Sequence, residues 1–198
     1  MSDLIDPARP ERYRLTRATR RLIEAVRKMD PDVDLSQIAA QVEKLTSEVE
    51  QHQIEIGEQR GRGNYRRRSP LVGRSNAMAP PFTYEFDSDQ VAVHGTFGLA
   101  YEGPPGFVHG GWISLAFDEI MGMANAIGGH VALTARLTVK YREPTPLEQP
   151  VRIEAHTKKV EGRRITTIGT LSVGEKVTAE AEGLFIALDE KRTKKHFG

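Results

Sequence analysis

The chain of 198 residues has no cysteine. That excludes a disulfide framework, a cysteine nucleophile and a thiolate-bound metal, and it agrees with a reducing compartment, so a cytoplasmic location is expected. No stretch approaches the roughly 20 apolar residues that a membrane span requires. The segment Met1 to Tyr13 has no apolar core and is studded with charge, so no secretory leader is expected. Neither sign of charge dominates: 28 Lys and Arg stand against 27 Asp and Glu, a net +1. Bulk electrostatics therefore names no partner, and nucleic-acid binding is not expected. A Gly-x-Ser-x-Gly elbow is missing, which sets aside the α/β-hydrolase route. The six histidines show no metal-ligand spacing, so no metal is expected. Gly169 to Lys176 resembles a phosphate loop, but Glu175 stands where the lysine belongs, and a hairpin turn is the better reading.

What is present suits a globular chain, with 38% hydrophobic and 28% charged residues. The length allows one domain and an appendage. Residues 1–59 read as a helical extension. Leu22, Val26 and Met29 mark one apolar stripe, broken at Asp30-Pro31-Asp32. A second helix of about 22 residues carries Leu35, Ile38, Val42, Leu45, Val49 and Ile56 at heptad-like spacings, with His52 in the same register. Such a seam is expected to lie against its own domain or a dimer partner. Residues 60–80 read as a linker punctuated by Gly and Pro and holding six arginines without an acid. It is either a phosphate-binding loop or else a solvated connector or nonspecific nucleic-acid patch. Residues 189–198 form a basic tail.

Residues 81–188 carry the fold. Strands are expected at 82–86, 91–97, 133–142, 151–160, 165–173 and 177–188, with one apolar helix at 111–127 that stops at Gly128-Gly129. Turns at Glu161-Gly162 and Gly174-Glu175 join the later strands as hairpins. The class is α+β: a mostly antiparallel sheet wrapped around a single buried helix. At 100° per residue, Ile113, Ala116, Phe117, Ile120, Met121 and Ala124 form the face against the sheet. Ser114, Asp118, Gly122 and Asn125 form a narrower small and polar stripe beside it.

The segment His109-Gly110-Gly111, with Asp118 farther along the helix, holds the chemistry. Glycines at a helix start let a ligand approach the backbone, and the free amides there favour negative charge. An oxyanion placed on such a donor is stabilised by a few kcal/mol. A carboxylate two turns on can activate water or attack directly. Eight residues of helix rise roughly 12 Å, too far for the Gly110 amide and Asp118 of one chain to meet on one carbon. A site built from both therefore calls for two copies of the chain.

The segment GFVHGGWISLAFDEIMGMA, followed by LTARLTVKYREPTPL, resembles the hotdog-fold acyl-CoA thioesterases of the phenylacetate-pathway (PaaI-like) type, in particular the thioesterase superfamily member 4 branch. The resemblance covers about residues 70–188. It implies hydrolysis of acyl-CoA to free acid and CoA by a homodimer, with assembly to a tetramer left open. No cofactor is implied, since CoA is part of the substrate. Gly110 would supply the oxyanion amide, Asp118 of the partner the general base or nucleophile, His109 the orientation of the thioester, and Thr134 the positioning of water. Gly111, Phe107, Trp112 and Met121 would line the acyl site, and Lys140, Arg142, Arg163 and Arg164 would hold CoA phosphates. Relatives often carry Asn or Gln shortly before the HGG, where this chain has Glu102-Gly103-Pro104-Pro105. A non-catalytic acyl-CoA sensor is the alternative reading. A hotdog dehydratase is disfavoured, because the only histidine near the helix precedes it.

Overall fold

The computed structural model describes residues 10–53, 65–87 and 90–189. Six strands form one sheet: β1 (Thr83–Phe86), β2 (Gln90–Thr96), β3 (Ala132–Tyr141), β4 (Pro150–Glu161), β5 (Arg164–Val173) and β6 (Lys176–Ala187). Their order is β1-β2-β4-β5-β6-β3, and every neighbouring pair is antiparallel. Helices α1 (Pro10–Arg27) and α2 (Ser36–Glu50) precede the sheet, and α3 (Gly110–Ile127) links β2 to β3. Because β3 lies at the far edge from β1 and β2, α3 carries the chain across the whole sheet and covers one of its faces.

The strands form where apolar and polar residues alternate. In β5 the buried Ile165, Thr167 and Leu171 alternate with half-buried neighbours. Gly162 and Gly174 turn the two hairpins in the left-handed region, φ 59° and 57°, at no steric cost. The expected buried face of α3 is the observed one, joined by Met123 and Asn125. Phe117, Ile120 and Met121 are fully buried, and each such side chain contributes about 1.5–3 kcal/mol by leaving water. Gly169 and Gly183 make room for them: a Cβ at either would press on Met121. Asn125, expected on the stripe beside a ligand, is instead sealed under the sheet. Its Oδ1 accepts from Thr157 at 3.2 Å and from Thr167 at 2.6 Å. The helix turns far enough by its last turn that this position faces inward.

Two expectations for the first 80 residues change. Helix α2 is 15 residues long rather than about 22, with Ile56 outside the described residues, and none of its residues is buried. Ile38 and Leu45 are about half exposed, so the seam does not lie on its own domain. The arginine-rich stretch is not a detached connector where it is described. Ser69, Leu71 and Ala79 are fully buried, and the Ser69 hydroxyl accepts from the Leu71 and Val72 amides, both at 3.1 Å. Arg67 and Arg68 are half-buried, whereas Arg60 and Arg62 lie outside the described residues. The apolar pair Leu71-Val72, hidden among glycines and arginines, pulls the segment into the core.

Leu71→Ala should therefore cost about 2–5 kcal/mol, as truncation of a buried leucine does. Urea unfolding of the two proteins measures it. A change below about 0.5 kcal/mol, the usual result at an exposed site, would return the segment to a solvated linker.

Candidate active site

Helix α3 begins at the end of a tight loop. The Gly103 N–H donates to the Phe107 carbonyl at 2.9 Å, and the Phe107 N–H to Pro104 at 2.9 Å. His109 then caps the helix with extended backbone, and its Nδ1 accepts from the Gly111 N–H at 2.9 Å. An imidazole that accepts at Nδ1 carries its proton on Nε2 when neutral. His109 is exposed, so that Nε2–H can reach a bound molecule. The same bond occupies the Gly111 amide. Among the described residues the Gly110 N–H has no acceptor, so Gly110 is the donor left at the helix start.

The other face of Gly110 is held by Tyr141, at the end of β3. The Tyr141 hydroxyl donates to the Gly110 carbonyl at 2.8 Å and lies 2.8 Å from the Ser114 hydroxyl. A Cβ on Gly110 would come within 3.2 Å of the Tyr141 ring. Tyr141 and Ser114 were legible only as part of a motif and a stripe; nothing in their spacing marked them as neighbours of Gly110.

Two turns along α3, the half-buried Asp118 accepts a hydrogen bond from Thr134 at 2.7 Å. The structure thus joins two of the predicted residues directly. A β-bulge makes this possible. The β3–β6 register shifts between Thr134 and Arg136, which resets the alternation of side chains. Thr134 before the bulge and Leu137, Val139 and Tyr141 after it all face α3. One strand therefore serves both chemical stations of the helix, Thr134 at Asp118 and Tyr141 at Gly110.

The remaining predicted residues are spread out. Trp112 is half-buried edge-on to Tyr101, with ring centroids 4.9 Å apart, and Phe107 is exposed on the loop before the helix. Both lie near Gly110. Met121 is sealed in the core. Arg142 pairs with Glu180 at 2.6 Å. Lys140 lines an open depression of about 390 Å³ on the sheet face away from α3, beside Glu154, Glu180 and Glu182. Arg163 and Arg164 lie at the opposite end of the sheet from Arg142, where Arg163 donates to the Ala187 carbonyl at 3.0 Å. Within one chain these four cations do not form a common phosphate site. Among the described residues there is no cluster of three metal-ligating side chains, and no helix is long and apolar enough to cross a membrane.

Comparison with known proteins follows the same lines. Residues 105–180 match the Thioesterase superfamily model. The acyl-coenzyme A thioesterase THEM4 of Mus musculus is 41% identical over 97 residues, 48% of this chain and 42% of that protein. The chain thus spans less than half the length of the curated relatives it matches. A crystal structure of a thioesterase superfamily protein superposes with a TM-score of 0.81 at 34% identity, covering 88% of this chain and 94% of that one. That span includes most of the N-terminal extension. A hypothetical thioesterase from Streptococcus pneumoniae TIGR4, crystallised with coenzyme A, shares the fold at 15% identity and a TM-score of 0.52, over 54% of this chain and 85% of its own. With its antiparallel sheet wrapped around α3, the chain has the hotdog fold and belongs to the thioesterase superfamily.

Proposed function

We propose that this protein hydrolyses acyl-CoA thioesters to a free acid and CoA at a site shared between two copies of the chain. The observation that carries the reading is the Asp118–Thr134 hydrogen bond, at 2.7 Å, beside an apolar helix that begins with an uncommitted glycine amide. Thr134 occupies one carboxylate oxygen and leaves the other to accept from water. That water attacks the thioester carbonyl while Asp118 takes its proton. The Gly110 N–H receives the oxyanion, with the positive end of the helix dipole behind it. Collapse breaks the C–S bond, and the proton returns to the departing CoA sulfur. Direct attack by Asp118 is the covalent form of the same scheme. The names of the THEM4 relatives and the CoA in the S. pneumoniae structure support this substrate class.

The geometry of β3 supports a second copy. Strand β3 is an edge ten residues long whose outer side has no partner strand among the described residues. Leu133 and Tyr141 on it are 43% and 52% exposed. An edge of this kind calls for a partner strand. Antiparallel pairing of two β3 strands, centred between Leu137 and Thr138, sets the partner's Thr134 opposite Tyr141. It thereby brings the partner's Asp118 toward the Gly110 amide, closing the roughly 12 Å gap that separates the two groups along one helix. Phe107 and Trp112 flank that junction and would meet the acyl group, while His109 Nε2–H faces the carbonyl.

Thiol release from a panel of short, long and aryl-acetyl CoA thioesters tests the activity. Asp118→Asn should lower turnover by roughly 10² to 10⁴, the usual contribution of a positioned proton-transfer group, with little change in thermal stability. Turnover equal to wild type would remove Asp118 from the mechanism. Binding without release from any thioester would favour a sensor instead.

Sharing of the site has its own test. Gly110→Val should be inactive, since its side chain would collide with Tyr141 and fill the space at the amide. Co-expressed with Asp118→Asn, it should regain activity, because each mixed dimer then contains one site with both residues intact. Mixed dimers as inactive as either parent would place Gly110 and Asp118 in the same-chain site and refute the shared one.

A further inference from the structure

We infer that helix α1 is a brace for the loop that presents the Gly110 amide, and that Glu24 is a positioning residue for catalysis. The inference rests on the function proposed above. Helix α1 turns one face toward the body of the protein, the side holding Thr16, Arg20, Ile23, Glu24 and Arg27. From that face it reaches three segments around the loop. Arg20 donates to the carbonyls of Ala79 at 2.7 Å and Asn76 at 3.0 Å. Arg27 pairs with Glu102 at 2.9 Å, and Lys28 just beyond the helix pairs with Glu148 at 2.9 Å. The two oxygens of Glu24 accept from the successive N–H groups of Leu99 and Ala100, both at 3.1 Å.

These contacts converge on the loop's start. Leu99–Tyr101 is a single turn of 3-10 helix, and its leading amides have no carbonyl within the turn to bond. Glu24 satisfies two of them with a charged acceptor, in partly buried surroundings where such bonds are worth more than neutral ones. The fit leaves no room for a side chain at residue 98, where a Cβ would collide with the Glu24 carboxylate. From this anchored turn the chain runs to the site through fixed steps. The Tyr101 carbonyl accepts from the His109 N–H at 2.9 Å, and the Tyr101 ring stands edge-on to Trp112 on the first turn of α3. Its hydroxyl donates to the Met78 carbonyl at 3.0 Å, and burial pushes the phenol up to about 12, so it stays a neutral donor.

Glu102 closes the frame. One of its oxygens pairs with Arg27, and the other accepts from the Gly106 N–H at 2.9 Å. At a place where the resembled family often has Asn or Gln facing the reacting group, this chain has a strut between α1 and the loop tip. An exposed pair like Arg27–Glu102 contributes little by itself. Glu24, with two bonds to backbone, is the stronger tie.

A misplaced oxyanion donor weakens the transition state more than the bound substrate, so the loss should appear in kcat. In the full chain, Glu24→Ala should lower kcat about tenfold to a hundredfold, the range expected for roughly 1 Å of misplacement, with KM changed by less than about threefold. Glu24→Gln keeps one acceptor and should recover part of the loss, while Lys28→Ala, at an exposed pair, should behave as wild type. Hydrogen exchange at the bonded amides of Leu99, Ala100, Gly106 to His109 and Gly111 should quicken in Glu24→Ala, and melting curves confirm that each variant is folded at assay temperature. Wild-type kcat in Glu24→Ala, or equal losses in Glu24→Ala and Glu24→Gln with loop exchange unchanged, would overturn the brace. A wild-type protein that releases no thiol would instead sink the proposed function. The exchange measurement would then decide on the brace alone, slow exchange at Gly106 to His109 and Gly111 in Glu24→Ala refuting it.

Discussion

The site depends on how α3 is held against the sheet. Phe117, Ile120 and Met121 are fully buried, and the glycines opposite them on β5 and β6 fix how closely the helix can lie. A packed interface of this kind resists rotation, because turning the helix would expose apolar area and clash with the strands. The same rotation that buries these three residues leaves Asp118 at the boundary, half-buried and within reach of Thr134. The chemistry is therefore set by residues that never touch a substrate. A helix is also a ruler, and with the amide donor at its first residue and the carboxylate two turns on, no single-chain geometry lets both act on one carbon.

In the proposed dimer strand β3 would resolve that distance, and within the chain it already meets two structural demands at once. It pairs with β6 on one side, and it presents Thr134 and Tyr141 to α3 despite their odd separation. Perfect pleating would send one of them to the opposite face. The bulge between Thr134 and Arg136 removes the conflict at the cost of a locally disrupted ladder. An irregularity that serves two hydrogen bonds to the same helix is better read as a functional feature than as a defect in pairing.

Most of the hotdog domain was legible in the sequence, for a physical reason: its elements are governed by local periodicity. Strand alternation, the glycine turns and the apolar face of α3 each repeat within a few residues, and the boundaries fall within a residue or two of those expected. The features that escaped notice join residues far apart in the chain. Leu71 sits in a glycine- and arginine-rich stretch whose composition suggests solvent, and only the core it enters shows otherwise. Asn125 shares a helical stripe with Asp118, yet a small turn of the helix and two threonines on other strands take it inward. The α2 seam has the spacing of a buried helix, and periodicity states what a helix can cover without stating that anything covers it. Asp118, by contrast, was picked out by its place on the helix and Thr134 by the resemblance, and their direct hydrogen bond is consistent with acting as a unit.

Glu24 and Glu102 show why the same acidic side chain can be bland in sequence and specific in structure. Each lies in a charged context, α1 with its arginines and the loop with its prolines, where a solvated carboxylate is the ordinary expectation. What distinguishes them is that all four oxygens are occupied, three by backbone N–H groups and the fourth by the Arg27 guanidinium. A carboxylate so committed has little freedom left to meet a substrate. Glu102 therefore holds the loop and does not stand free toward a reacting group. In the proposed site the orientation of the reacting group must then come from elsewhere. The loop supplies it when α1 keeps the Tyr101–His109 segment still, because a donor already in place needs no reorganisation as charge develops. On that argument helix α1 and Glu102 act on the loop together, and the proposed oxyanion donor owes its precision to both.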